Sequence, residues 1–135
     1  MTPFRLFLLG GNNESMKTTQ LVAMISVADI ERSIEFYRHL GFEVGNTFEP
    51  EGTTKPSWAW LHSGEAQLML SAATEPVANK HAVLFYAYME DVDAAHAALK
   101  EAGLSPGAIT KPFYSPRGEF KTVDPDGYVV MVTHT

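Results

Sequence analysis

From Leu21 to Val27 the chain is apolar with Ser26 as the sole polar member, a run of strand length. Asp29 follows where its carboxylate can accept a free N–H of a first helical turn. Ile30, Ile34 and Tyr37 then recur at helical spacing, Phe36 and Leu40 widen the stripe, and Glu31, Arg32 and Glu35 take the other side. Gly41, suited to left-handed backbone, stops that helix. A second strand is predicted over 42–48, a loop over 49–56, and a third strand over 57–61 with Trp58 and Trp60 on one face. His62-Ser63-Gly64-Glu65 is a turn before a fourth strand over 66–70, and 71–80, with Pro76 and no period, links the two halves of the chain.

The same order then returns. Residues 81–89 read as a strand, and Asp91 caps a helix with Val92, Ala95, Leu99 and Ala102 inward and Gly103 as its stop. A short strand or irregular run over 104–112 and a loop over 113–118 lead to apolar runs at 120–123 and 128–133. Asp124-Pro125-Asp126-Gly127 between those runs signals a hairpin. Asp29 to Gly41 and Asp91 to Gly103 both span 12 positions, an offset of 62 that also carries Trp58 onto Phe120. Equal spacing of cap, stop, strand and hairpin argues for duplication. The expected fold is α+β: two tandem βαβββ modules, about 18–75 and 76–135, forming curled mixed sheets around a central cleft. Neither amphipathic helix can bury its stripe alone, so each must pack on a sheet, and the remaining faces of the sheets are free to build a concave site.

Residues 1–17 are expected to be an N-terminal tail or leader before a single domain over 18–135. The run Phe4 to Leu9 is too short to cross a membrane and lacks the features of a secretory signal, and Gly10 to Ser15 reads as a connector. The pattern admits a tail, an extra strand or an upstream start, and does not choose among them. A formal charge of −6 and the lack of any basic block argue against nucleic acid as a partner. There are no cysteines, which excludes disulfides, thiolate nucleophiles and cysteine-ligated metals and fits a cytoplasmic setting.

Three stretches carry a family resemblance: Ser26 to Tyr37 (SVADIERSIEFY), Tyr88 to Ala95 (YMEDVDAA), and Phe120 to Tyr128 (FKTVDPDGY). Over Thr18 to Thr135 the chain resembles the glyoxalase / bleomycin-resistance / extradiol-dioxygenase superfamily, the vicinal oxygen chelate fold. The resemblance implies a metal site on the cavity face of the enzymes. Its first-strand ligand, usually His, lies seven residues before the capping Asp and corresponds here to Val22. The equivalent in the second half is Leu84. The last ligand, usually Glu four residues beyond the Gly of the closing turn, corresponds to Met131, and a ligand after the first hairpin corresponds to Met69. The repeat pairs Val22 with Leu84 and Met69 with Met131 independently of the family. Zinc, iron, manganese and nickel want imidazole nitrogen or carboxylate oxygen, and these four side chains offer neither. Neither a metal nor another cofactor is therefore expected.

Other polar residues have ordinary explanations. His81, an odd step from Leu84, reads as a surface residue at a strand start, and His96 as a surface residue of its helix. His62 and Glu65 bracket a hairpin, while Arg117 and Glu119 sit in or beside a Pro/Gly loop, with pairing to a charged ligand as the alternative. Asp29, Asp91, Asp124 and Asp126 are explained by capping and turns. No catalytic residue is assigned.

Alternation places Met24 with Val22; Tyr86 and Tyr88 with Leu84; and Trp58 with Trp60. The expected ligand-binding set is Met24, Trp58, Trp60, Met69, Leu84, Tyr86, Tyr88 and Met131, an aromatic and thioether surface suited to a flat, partly apolar molecule. A filled core without a pocket is the competing reading. The leading expectation is metal-independent binding or sequestration of a small, partly aromatic or amphipathic molecule, similar to the bleomycin-resistance branch. The resemblance further implies a homodimer, and no membrane partner is expected. Two alternatives stand: a glyoxalase- or dioxygenase-like enzyme with a non-standard metal site drawing on His62, His81 and Glu119, or a structural or interaction protein without a ligand.

Overall fold

Each predicted helix begins on its aspartate: Asp29 Oδ1 accepts from Arg32 N at 3.2 Å and Asp91 Oδ1 from Ala94 N at 2.9 Å. Helices α1 (Ile30–Arg38) and α2 (Val92–Glu101) end near Gly41 and Gly103, both with positive φ. The computed structural model describes residues 16–134, so residues 1–15 of the expected leader lie outside the described part. The strands are β1 (Met24–Val27), β2 (Glu43–Phe48), β3 (Trp58–Ser63), β4 (Ala66–Ala72), β5 (Leu84–Met89), β6 (Glu119–Val123) and β7 (Val129–His134).

Two mixed sheets result, ordered β1-β4-β3-β2 and β5-β7-β6. The first strand of each half runs parallel to the last, β1 with β4 and β5 with β7, and the hairpins between are antiparallel. The tandem modules are therefore present, around a cleft between them. In the second half the counterpart of β2 shrinks to one bridge, Thr110 with Glu119. Two strands are shorter than expected. Leu21 and Val22 precede β1, and His81 precedes β5. Among the described residues no helix is long and apolar enough to cross a membrane.

One face of each sheet is buried: Ile25, Val27, Ala59, Leu61, Leu68 and Leu70 in the first, Phe120, Val130 and Val132 in the second, joined by Ile34, Tyr37 and Leu99 from the helices. The offset of 62 misplaces one strand. Ser63 pairs with Ala66 around two residues, whereas Asp124 N donates to Tyr128 O around three, Pro125, Asp126 and Gly127. Gly127, with φ 88°, completes the longer turn. The extra residue moves β6 by one position, so Met131 faces Lys121, while its counterpart Met69 faces Trp60. A one-residue slip exchanges the faces of a strand. Phe120 is accordingly 1% exposed in the core, although Trp58, its equivalent by number, lies on the opposite face. Glu119, Lys121 and Val123 take the open side of β6.

The closing turn also clasps the first module. Asp124 Oδ2 accepts from the buried Tyr37 hydroxyl at 2.7 Å, and Oδ1 accepts from Asp126 N and Tyr128 N at 2.8 and 2.9 Å. Asp126 Oδ1 accepts from Ala28 N at 3.0 Å and lies 3.4 Å from Arg32 Nη2. The Tyr128 hydroxyl donates to Ser26 O at 3.0 Å. These aspartates do form the turn, as expected, but their buried oxygens also satisfy donors of the other module. His81 is not a surface residue at a strand start: its ring stacks on Tyr128 with centroids 3.6 Å apart, and Nε2 lies 3.0 Å from Asp126 O. His96 is likewise engaged, with Nε2 2.9 Å from Gly107 O and its ring edge-on to Phe120.

Candidate functional site

The open face of the first sheet carries Met24 beside Met69 beside Trp60 in one row and Ser26, Ser71 and Trp58 in the next. Trp60 lies over Gly45, where a Cβ would stand 2.3 Å from the indole ring, so only glycine permits this approach. The indole N–H donates to Gln67 Oε1 at 2.9 Å, Gln67 donates onward to Gln20 at 2.7 Å, and the ring stacks on His62 at 5.1 Å. Trp60 is thus a held, half-buried plate.

On the second sheet the corresponding row is Tyr86, Met131 and Lys121. Leu84, Val129 and Val123 flank it on one side, and Tyr88, Thr133 and Glu119 on the other. Tyr86 and Tyr88 are 50% and 65% exposed, and their rings stack at 6.3 Å. The structure therefore brings Met24, Met69, Trp58 and Trp60 together on one sheet and Leu84, Tyr86, Tyr88 and Met131 on the other.

Between the modules lies a cleft of about 430 Å³. Tyr37, Leu40, Phe42 and Leu68 of the first module and Phe85, Ala87 and Met89 of the second form much of its wall. Of the eight expected binding residues, Tyr86 and Tyr88 line it, and the other six lie on the open sheet faces. The sequence gives no sign of Tyr37, Leu40 and Phe42 as lining, because Tyr37 and Leu40 belong to the helical stripe and Phe42 to the start of the next strand, and both read as plain core.

Glu119, expected in a solvated loop, is instead buried on β6. The loop 112–118 covers it: the Tyr114 hydroxyl donates to Glu119 Oε2 at 2.8 Å, and Ser115 Oγ meets Thr133 Oγ1 at 2.8 Å. The Tyr114 phenol is raised above its ordinary range, first by that bond to Glu119 and then by desolvation and by the charges of Glu119 and Tyr86.

The Glyoxalase/Bleomycin resistance protein/Dioxygenase superfamily profile matches residues 19–132. The chain belongs to this superfamily. Solved structures share its fold. A bleomycin-binding protein from bleomycin-producing Streptomyces verticillus, complexed with copper(II)-bleomycin, is 20% identical with a TM-score of 0.64, over 89% of this chain and 98% of that one. The fosfomycin resistance protein FosX from Mesorhizobium loti is 13% identical with a TM-score of 0.69, over 89% and 94%. An integron cassette protein from the mobile metagenome of the Halifax Harbour sewage outfall is 21% identical with a TM-score of 0.67, over 87% and 100%. No curated protein gives a sequence match.

The superfamily includes metal-dependent enzymes, and the residues here do not fit such a metal. Met69 and Met131 occupy strands β4 and β7 at the mapped positions, Leu84 opens β5, and Val22 precedes β1. None carries a nitrogen or oxygen donor on its side chain. Among the described residues no three His, Asp or Glu side chains are grouped to hold an ion, so His62, His81 and Glu119 do not form the alternative site either.

Proposed function

We propose that this superfamily member binds and sequesters a small, partly aromatic or amphipathic molecule without a metal, by burial and stacking. The observation that carries the reading is the pair of open sheet faces, where Met69, Leu84 and Met131 put thioether and hydrocarbon at mapped metal-ligand positions and aromatic side chains stand beside them. Met24, Leu84, Tyr86 and Tyr88 on those faces are exposed. Exposed apolar patches of this kind mark ligand or protein contacts. A neighbour of the same fold that is a bleomycin-binding protein supports the reading. The expected state is a cytoplasmic homodimer in which a second copy covers the open faces and completes the cavities.

Both tryptophans of the chain, Trp58 and Trp60, lie on the open face of β3. Their fluorescence reports occupancy directly. Titration with bleomycin and with 1-anilinonaphthalene-8-sulfonate is expected to quench or shift tryptophan emission saturably for at least one probe, with a dimer in native mass spectrometry. Unchanged emission, together with no thermal shift across a broad aromatic library, would favour an interaction protein without a ligand.

A further inference from the structure

We propose that the open face of the second sheet holds an organic cation, an amine or amidinium on an aromatic body, with Glu119 as its anchor and Tyr114 as a displaceable cover. The inference rests on the small-molecule reading above and specifies the chemistry of the ligand.

Glu119 is 4% exposed, and its two oxygens are unequal. Oε2 accepts from the Tyr114 hydroxyl, while Oε1 is fully buried with no hydrogen-bond partner among the described residues. The nearest hydroxyls are already committed. Ser115 Oγ gives its proton to Gly118 O at 2.9 Å, so Thr133 must donate in the Ser115–Thr133 bond and has none left for Glu119. No ion pair compensates the carboxylate either. Those among the described residues are Arg32–Asp126 and Arg38–Glu35, and Lys121, on the same open face, forms none with Glu119. A buried carboxylate lacking both a cation and a full set of donors is costly, and an N–H cation is the partner that supplies both.

The surroundings suit that partner. Glu119 shares its cross-strand row with Thr133 and Tyr88, and Tyr86 stacks beside Tyr88, which puts electron-rich ring faces along the approach. Tyr114 is 60% exposed and forms one side-chain hydrogen bond. Swinging it aside breaks one hydrogen bond and frees Oε2 for a cation. A net charge of −6 attracts a cation at long range.

The test uses three probes with one ring system: 9-aminoacridine, a cation at pH 7; acridine, neutral; and acridine-9-carboxylate, an anion. Isothermal titration of the full chain is expected to show the cation binding about tenfold tighter than the neutral ring, the worth of one charge-assisted hydrogen bond. Glu119→Gln should weaken the cation about tenfold and leave acridine within about twofold. Tyr114→Phe, which releases Oε2, should strengthen the cation about threefold. Equal affinity of cation and neutral ring for the unsubstituted protein overturns the proposal while leaving the small-molecule reading intact. So does a cation preference that survives Glu119→Gln. Should that variant fail to fold, the charge series and Tyr114→Phe decide alone, and a preference unmoved by Tyr114→Phe counts against the proposal. Absence of binding by all three acridines overturns this proposal, while the bleomycin and 1-anilinonaphthalene-8-sulfonate titrations decide the reading beneath it.

Discussion

Tyr37 faces inward, as its place in the helical stripe predicts, but its hydroxyl ends on Asp124. The phenol is raised far above its usual range, first by burial and then by the Asp124 charge. In the unfolded chain the same phenol ionises near 10. Its contribution to stability is therefore complete below about pH 10 and is lost as pH rises further, by up to about 1.4 kcal/mol per pH unit, because only the unfolded state releases the proton. Tyr37→Phe should cost about 1–3 kcal/mol at pH 7 by stranding Asp124 Oδ2, and should flatten part of the alkaline loss. Urea unfolding of both proteins at pH 7 and pH 11 checks this. Equal alkaline losses in the two would contradict the assignment. Sequence spacing gave no hint of the Tyr37–Asp124 bond, which joins residues in different modules. The same holds for Glu119: a position beside Gly118 reads as loop until the 112–118 segment is seen lying over it.

Strand β6 shows where periodicity succeeds and where it stops. Its alternation is legible, but the repeat offset places it one residue out of register. Which set of residues faces the core depends on the turn after it, where three residues replace two. Phe120 and Trp58 occupy equivalent numbers and opposite environments. Phe120→Ala is expected to cost about 3–5 kcal/mol through the cavity it leaves. Trp58→Ala should cost less than about 1.5 kcal/mol, with its main effect on probe binding. Parallel denaturant titrations of the two variants separate these outcomes, and similar losses for both would argue against the register described. The helices, by contrast, were readable to within about a residue at their starts, since cap and stop act through local hydrogen bonds.

For the molecule as a whole, the donor-free positions predict indifference to metal. A ligand held at 100 times its dissociation constant stabilises a fold by about 2.7 kcal/mol, enough to move Tm by several degrees. Dialysis against EDTA is expected to leave Tm unchanged within about 1 °C, with elemental analysis far below one equivalent of transition metal per chain. A near-stoichiometric ion, or a drop of several degrees on chelation, would point to ligands outside the four mapped positions.

The order of hydrophobic and polar positions determined by itself the duplication and the two capped helices, which rest on spacing and on local caps and stops; the hydrocarbon and thioether at the metal positions follow from residue type once the family resemblance supplies those positions. The tertiary structure decided which residues line the inter-module cleft, which face of β6 looks inward, and that Glu119 is buried with one oxygen unpartnered. Those outcomes depend on a turn one residue longer, on a loop folding back over its neighbouring strand and on the packing of one module against the other, none of which a local period encodes.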